Sequence, residues 1–221
     1  MSMKVLLVLL LLAVTLVPSA LFAQEFQINP YAGYLWTGKN NEVGSFLNNQ
    51  LLGVRGGGYI THNWELGGNY SWNNHFQPNH QNTEANLAGK LGFPQGSVRA
   101  NVLEAEITYH FAKQSLGGSH FTPYVVGGAG TLRTTVKDPD TFVLNTRQFT
   151  TGGRRVANDV LEDGDNFFTF SYGGGAKWNR VWGAMGFFGD FRGRTIPNFF
   201  NGHGTNSPEL SAGLTFSWGE K

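Results

Sequence analysis

The chain has 221 residues, with 31 glycines, 18 phenylalanines and no cysteine, and its formal net charge is +1. A chain without cysteine has no disulfide framework or thiolate chemistry, and the near-neutral charge excludes the strongly basic surface of a nucleic-acid-binding protein. Charged residues are only 14% of the chain, against about 25% in soluble globular domains. Mean hydropathy is nonetheless slightly negative, which excludes a helical membrane protein. Glycine, asparagine, threonine and aromatic residues dominate, so the composition predicts one all-β domain.

The N-terminal segment has the three parts of a secretory signal peptide. Lys4 supplies a basic start, the run 5–17 is apolar, and Ala23 is a small residue at the end. We therefore predict a signal peptide over residues 1–23 and a single barrel domain over 24–221. Leu21 is larger than the residue usual two positions before a cleavage site, so cleavage a few residues earlier stays open. A membrane-anchoring helix is disfavoured because the apolar run is shorter than the roughly 20 residues needed to span a bilayer.

Segments of alternating apolar and polar residues follow, each close to the roughly 9–11 residues of a membrane-spanning strand. We predict eight strands, at residues 26–36, 51–60, 64–73, 99–111, 122–134, 166–178, 181–192 and 211–218. In the first strand, Pro30 cannot donate to a β-ladder, which predicts a bulge or an irregular register. Tight turns are predicted at 61–63 and at Asn179 and Arg180, and a loop over 193–208 precedes the last strand.

The alternation also assigns the side chains of each strand to two faces. In the fourth strand, Leu103 and Glu104 begin a regular alternation of apolar and acidic or polar residues. In the fifth strand, three apolar residues are placed outward, although the glycine-rich sequence among them leaves the register open: Tyr124, Val126 and Leu132. In the seventh strand, Trp182 falls on the inward face, which favours a later start or a bulge.

The connections between the predicted strands are alternately long and short. If the N-terminus lies in the periplasm, every long connection is extracellular and every short one periplasmic, as in outer-membrane barrels. A soluble β-sandwich has no reason to sort its loops in this way. The six tryptophans lie at or near predicted strand ends, where aromatic girdles meet the two membrane interfaces: Trp36, Trp64, Trp72, Trp178, Trp182 and Trp218.

The last predicted strand carries a terminal pattern of a polar residue, a glycine and two aromatic residues. The residues that carry it are Ser211, Gly213, Phe216 and Trp218. Their spacing resembles the terminal assembly signal of bacterial outer-membrane β-barrels. The departure is that the chain continues through residues 219–221 after the last aromatic residue.

Together with the export signal, the loop pattern and the stretch PYVVGGAG at 123–130, this strand resembles the small OmpA-like outer-membrane barrel family. The resemblance covers nearly the whole mature chain. It implies an antiparallel up-and-down transmembrane β-barrel of about eight strands in the bacterial outer membrane. It also implies a monomer that is inserted by the barrel-assembly machinery and contacts outer-membrane lipid and lipopolysaccharide. Because the chain ends at the barrel, we do not expect the peptidoglycan-binding domain of larger members.

A barrel of this size has an interior just wide enough for side chains. The charged residues predicted to face this lumen have both signs: Arg55, Glu104, Glu106, Lys177, Asp190, Arg192 and Glu209. Because buried charges must be paired, we predict that they form an ion-pair network that fills the barrel. A narrow conduction path lined by the same residues is the alternative, and it is disfavoured because little room is left.

The histidines and the glycine runs of the sequence give little support for a metal or cofactor site. No histidine pair has the spacing of a helical metal site, and His75 and His80, which share one loop, are more simply explained as solvated side chains. The glycine runs 127–130 and 173–175 lie within predicted strands and lack the GK[ST] ending of a phosphate loop. We therefore predict no metal and no cofactor.

An enzyme that acts on outer-membrane lipid would need a histidine, a serine and an acid near the membrane edge. His110, Thr108 and Glu106 share the inward face, and Ser171 could come from a neighbouring strand. Because no inward serine lies beside His110 on its own strand, we predict no catalysis.

A structural or surface-interaction role is the preferred function. The long connection 135–165, which carries charges of both signs, is the candidate surface for binding. A solvated loop that faces lipopolysaccharide is the simpler interpretation of the same connection and is slightly favoured. The alternatives are a narrow-pore channel for small solutes or ions and, third, a lipid-modifying enzyme.

The predicted ion-pair network has a direct test. Replacing Glu104 and Glu106 by glutamine is expected to leave a folded barrel with a lower free energy of unfolding, because their cationic partners lose a buried countercharge. Equilibrium unfolding in urea measures the change, and an unchanged free energy would contradict the network.

Overall fold

The protein is described from a computed structural model that covers residues 25–37, 39–40, 44–45, 48–74, 98–112, 121–136, 150–151, 154–155, 166–198 and 204–219. The predicted signal peptide lies outside these residues. The described strands are β1 (Phe26–Leu35), β2 (Lys39–Asn40), β3 (Gly44–Ser45), β4 (Asn49–Tyr59), β5 (Trp64–Asn73), β6 (Val98–His110), β7 (Phe121–Val136), β8 (Thr150–Thr151), β9 (Arg154–Arg155), β10 (Asn166–Trp182), β11 (Met185–Ile196) and β12 (Thr205–Trp218). None of the described segments is a helix long and apolar enough to cross a membrane.

Eight of the described strands form one closed antiparallel barrel in the order β1, β12, β11, β10, β7, β6, β5, β4. Each barrel strand pairs with its neighbours along the chain, and β1 closes the barrel against β12 from Phe26 opposite Trp218 to Leu35 opposite Glu209. The remaining four strands form two short hairpins, β2 with β3 and β8 with β9. The predicted up-and-down β-barrel is therefore confirmed, and closure satisfies the strand edges that an open sheet would expose.

In most of the barrel, the side chains of each strand point alternately outward and inward, as the alternation of apolar and polar residues predicted. In β6, Leu103 is 56% exposed on the outer wall and the next residue, Glu104, is 2% exposed inside. The same alternation holds along β12, where Leu210 is exposed and Glu209 and Ser211 are buried. The period of two thus places apolar side chains outside and polar side chains inside, which is the reverse of a soluble barrel.

The predicted orientation of the fifth strand is wrong. Tyr124, Val126 and Leu132 are buried inside the barrel, and Val125 is exposed outside. The ladder between β6 and β7 sets this orientation, because Tyr124 lies opposite His110 and opposite residues of an antiparallel pair point to the same side. Apolar character alone misassigned these residues, since the lumen also takes an aromatic ring and aliphatic side chains.

The predicted tight turn at Asn179 and Arg180 is also wrong. Strand β10 runs on to Trp182, its register against β11 shifts between Trp178 and Trp182, and the turn lies at residues 183–184. Arg180 has a φ of 54° and Gly183 a φ of 62°, so the irregularity and the turn both use the left-handed region. Trp182 is exposed, as expected for a strand seven that starts later or carries a bulge.

Two further expectations are corrected by the pairing. The segment 193–208 is not a continuous loop, because β11 extends to Ile196 and β12 begins at Thr205. Pro30 does not cause a bulge, because it pairs with Val54 in an unbroken register with β4. Against β12 the pairing omits Asn29 and Pro30 but resumes in the same register, as expected when one N–H donor is missing.

Aromatic pairs surround both ends of the outer wall. At the short-turn end, where residues 60–63, 111–120 and 183–184 connect strands, tilted ring pairs form between Phe26 and Trp218, with 5.5 Å between ring centroids, and between Phe121 and Trp178, with 4.6 Å. At the opposite end, called the long-connection end, Tyr34 lies 5.1 Å from Trp36. Two aromatic girdles with an apolar band between them are typical of transmembrane barrels.

The corrected register of β7 predicts a contrast between two neighbouring residues in a chain that has no native cysteine. Spin labels on Val125→Cys and Val126→Cys are compared in lipid bilayers by their collision rates with dissolved oxygen. The label at 125 is expected to collide frequently because it faces lipid, and the label at 126 rarely because it lies in the lumen. The opposite order would restore the orientation predicted from the sequence.

Candidate functional site

The lumen is the most highly charged part of the described structure. It buries four cationic side chains, five carboxylates and His110. The structure places all seven residues predicted for the lumenal network inside the barrel, and it adds Glu65 and Arg194. Arg194 was missed because it was assigned to a loop, although its spacing of two from Arg192 and four from Asp190 continues the inward face.

Asp190 is the centre of the network. Its carboxylate accepts hydrogen bonds from Arg55 Nη1 at 2.7 Å, from Arg192 Nε at 3.0 Å and from the Tyr124 hydroxyl at 2.9 Å, and it also accepts one from the Ser211 hydroxyl. These residues and Glu106, which pairs with Arg192 Nη1, form the central cluster. Four donors on one buried carboxylate compensate for its lost hydration.

Arg55 crosses the lumen from β4 to meet the central cluster. Its guanidinium lies over the Tyr31 ring, 4.0 Å from the centroid, and 5.2 Å from the centroid of Phe188. One Nη group pairs with Asp190, and the other donates to the Ser211 hydroxyl at 3.0 Å. The two rings and the two polar partners fix the guanidinium in the middle of the barrel.

An upper cluster lies between the central cluster and the long-connection end. Arg194 bridges two carboxylates, with Nη1 2.7 Å from Glu209 and Nη2 3.3 Å from Glu104. Glu104 also accepts hydrogen bonds from Asn69 at 3.2 Å and from Ser171 at 3.3 Å. Glu209 lies 3.5 Å from Arg55 Nη2, which joins the upper and central clusters.

A lower cluster lies toward the short-turn end. Lys177 Nζ donates to Gln27 and to Glu65, both at 2.8 Å, and His110 Nε2 lies 2.9 Å from the same Glu65 oxygen. The His110 ring is completely buried and packs 5.0 Å from the Tyr59 ring. His110 therefore meets Glu65, whereas Glu106 and Ser171, its candidate catalytic partners, belong to other contacts.

The ion pairs connect strands that are far apart around the barrel wall. Arg55 and Asp190 are separated by 135 residues, and Lys177 and Glu65 by 112. Such pairs cross the interior instead of running along the ladder. Each is buried, and removal of one partner would leave an uncompensated charge in a poorly hydrated interior.

Two cavities lined by the described lumenal residues are small. One cavity lies between the central and lower clusters, and the volume that the centre of a water molecule can occupy in it is about 20 Å³. Within the described residues, Arg55 Nε and Asn29 Oδ1 both line it without a hydrogen-bond partner. The second cavity lies at the long-connection end, and the corresponding volume is about 30 Å³. It is lined mainly by the aliphatic side chains of Leu35, Leu51, Val102, Leu132 and Ile196. Both spaces are of the size of water, not of a solute.

The residues of the predicted assembly signal all lie on β12. Ser211 faces the lumen and contacts Asp190, whereas Trp218 faces outward against Phe26. At Gly213 an added Cβ would lie 2.2 Å from the carbonyl oxygen of Pro30, so only glycine fits beside β1 at this position. In the described ranges, no three histidine or acidic side chains are arranged as a metal site. The loop histidines at 75 and 80 lie outside those ranges.

Comparisons with known proteins agree with this architecture. A sequence model of the outer membrane protein β-barrel domain matches residues 8–216. Neisserial surface protein A has a similar fold, with a TM-score of 0.57 at 16% sequence identity, covering 86% of this chain and 96% of that one.

Two further matches have lower TM-scores. The N-terminal barrel domain of Pseudomonas aeruginosa OprF has a TM-score of 0.44 at 15% identity, with 86% of this chain and 97% of that one covered. Ail, the attachment invasion locus protein of Yersinia pestis, has a TM-score of 0.47 at 12% sequence identity, with 87% of this chain and 99% of that one covered. No curated protein matches the sequence. The likeness to Neisserial surface protein A shows the barrel fold alone.

The central cluster predicts a large difference between two carboxylate substitutions. Asp190→Asn is expected to lower the free energy of unfolding by roughly 3 kcal/mol, because two buried guanidiniums lose a shared countercharge. Glu25→Gln breaks a partly exposed pair, in which Glu25 lies 3.7 Å from Arg180. This substitution is expected to change the free energy of unfolding by less than about 1 kcal/mol. Urea unfolding in lipid measures both, and equal effects would contradict the central role of Asp190.

Proposed function

The chain belongs to the outer membrane protein β-barrel domain family, and from this premise we propose that it is an exported, monomeric barrel of the bacterial outer membrane. Its role is structural or one of surface interaction, its lumen is closed to solutes, and it catalyses no reaction. The barrel-assembly machinery inserts it, and outer-membrane lipid and lipopolysaccharide surround it. The observation that carries the closed lumen is the central cluster, in which ion pairs cross the barrel at mid-height.

The outer wall supports a membrane-spanning location. Large apolar side chains are exposed on every side of the barrel, among them Leu66, Leu103, Phe168 and Phe191. In water these side chains would form an apolar surface far larger than the patches that soluble monomers expose. The carboxylates of the described barrel strands are all buried in the lumen, so lipid meets no acidic side chain on this wall.

The connections supply the surface for a partner. With the N-terminus in the periplasm, the long connections emerge outside the cell, as in other outer-membrane barrels. The connection 135–165 is the largest and carries charges of both signs, which suits adhesion or binding to a charged partner. Most of this connection lies outside the described residues, so the proposal rests on its length, charge and position in the topology.

The two alternatives have less support from the lumen. A solute channel would need a continuous space, whereas the cavity between the central and lower clusters and the cavity at the long-connection end are each of the size of water. A lipid-modifying enzyme would need an accessible base, whereas His110 is enclosed by Glu65 and aromatic rings.

Conductance across planar lipid bilayers tests the closed lumen. The mature chain is expected to insert, as judged by heat-modifiable mobility on gels, and to give no stepwise current. The variant Glu106→Ala with Arg192→Ala removes a matched pair from the central cluster and is expected to give small currents, because it opens space without leaving a net charge. Reproducible steps from the unmodified chain would contradict the closed lumen and favour the channel.

A further inference from the structure

The cavity between the central and lower clusters is lined by a donor residue and an acceptor residue that are not fully satisfied by the protein. Arg55 and Asn29 both line this cavity, and their side chains belong to residues that are only 5% and 3% exposed. Among the described residues, neither Arg55 Nε nor Asn29 Oδ1 has a hydrogen-bond partner. Because a buried polar group without a partner costs free energy, a ligand in the cavity is expected to supply one.

The strand register holds the two residues side by side. Asn29 on β1 lies opposite Arg55 on β4, so both side chains point into the lumen from adjacent positions. One atom is a donor and the other an acceptor, yet they do not bond to each other. A bridging molecule that accepts from Arg55 and donates to Asn29 satisfies both atoms.

The guanidinium of Arg55 is not free to turn its Nε toward another protein group. Its two Nη groups donate to Asp190 at 2.7 Å and to the Ser211 hydroxyl at 3.0 Å. It also lies over the Tyr31 ring, 4.0 Å from the centroid. Because the guanidinium is planar and its donors have a fixed geometry, these contacts also fix the direction of the Nε–H bond.

Two glycines contribute to the space in front of these groups. Gly57 on β4 lies opposite Gly67 on β5, at inward positions where other residues of these strands place side chains in the lumen. Gly67 lines the cavity. The volume that the centre of a water molecule can occupy there is about 20 Å³, and one water needs roughly 10–15 Å³.

The charges around the cavity favour a neutral ligand. The lining residues include three cations and two carboxylates: Arg55, Lys177, Arg192, Glu65 and Glu106. The cations disfavour a small cation and the carboxylates disfavour a small anion, whereas water is neutral and both accepts and donates hydrogen bonds. A buried water makes about three hydrogen bonds, and the carboxylates in the lining are acceptors for a third.

We propose that an ordered water molecule binds in this cavity, accepts a hydrogen bond from Arg55 Nε and donates one to Asn29 Oδ1. The water lies where the central and lower clusters meet, because Arg55 belongs to the first and Glu65 to the second. It completes the hydrogen bonding of the one arginine that crosses to Asp190 from β4. This site goes beyond the proposed function, and its occupancy does not depend on the role of the outer surface.

Nuclear magnetic resonance of the folded chain in lipid nanodiscs, with isotope-labelled arginine, tests the site. The Arg55 Nε–H proton is expected to show laboratory-frame and rotating-frame Overhauser cross-peaks to water of opposite sign, which distinguishes a bound water from proton exchange. Arg55→Lys, which removes Nε, identifies the signal. Absence of the water cross-peak from this proton in the unmodified chain would overturn the proposal.

A matched pair of variants tests the acceptor. Asn29→Leu removes the acceptor with little change in volume and is expected to abolish the cross-peak. Thr169→Val also removes a buried polar atom that has no partner, but Thr169 does not line the cavity, so the cross-peak is expected to remain. An unchanged cross-peak in a folded Asn29→Leu barrel, as judged by heat-modifiable mobility, would contradict the site. Where a variant does not fold, the unmodified chain alone decides the outcome.

Two further comparisons separate water from other sources of the signal. Tyr124→Phe removes a hydroxyl proton from a residue in the lining and is expected to leave the cross-peak in place. Its loss would assign the signal to the hydroxyl and overturn the proposal. Replacement of sodium chloride by sodium sulfate is expected to leave the chemical shift of the Arg55 Nε–H proton unchanged, and a shift that saturates with chloride would identify an anion in place of water.

Discussion

The central and upper clusters of the lumen depend on the carboxylate of Asp190. Two guanidiniums and two hydroxyls donate to it, from β4, β7, β11 and β12. A charge at this depth is stable only when it is paired and fully hydrogen-bonded, so each cation in turn needs a second carboxylate. Arg192 pairs with Glu106, and Arg55 lies close to Glu209. Arg194 in turn pairs with both Glu209 and Glu104. One pairing requirement thus extends through the central and upper clusters.

The separation of charge between the two sides of the wall links this packing to function. The carboxylates of the described barrel strands lie inside, where they are neutralised by cations, and the exposed cations of these strands, Arg99 and Arg133, lie outside at one end. The inside arrangement supports the proposal that the lumen is closed to solutes. The outside arrangement leaves the acidic groups away from lipid and gives the outer wall a polarity along its axis. Both arrangements are compatible with the proposed role of the surface and the connections.

The contrast between β6 and β7 shows where the alternation of residues is enough to assign side chains to the inner or outer face of the barrel, and where it is not. In β6, acidic and apolar residues alternate, so Leu103 and Glu104 identify their own faces. In β7, glycine and small residues separate the informative positions, and Tyr124 and Leu132 look apolar enough for lipid. Their orientation follows from the partner strand, because Tyr124 lies opposite the inward His110. Arg194 was assigned to a loop for a related reason, since Gly193 and Thr195 interrupt the polar alternation.

The sequence by itself determined the all-β barrel, the approximate strand positions and the seven charged residues assigned to the lumen, because a period of two is a local property. Only the tertiary structure decided which charges meet, because most partners lie on different strands and are up to 154 residues apart, as for Arg55 and Glu209. It also decided the inclusion of Glu65 and Arg194, the end of β10 at Trp182 and the orientation of β7. These features depend on register and closure, which neighbouring strands set together and no single segment encodes.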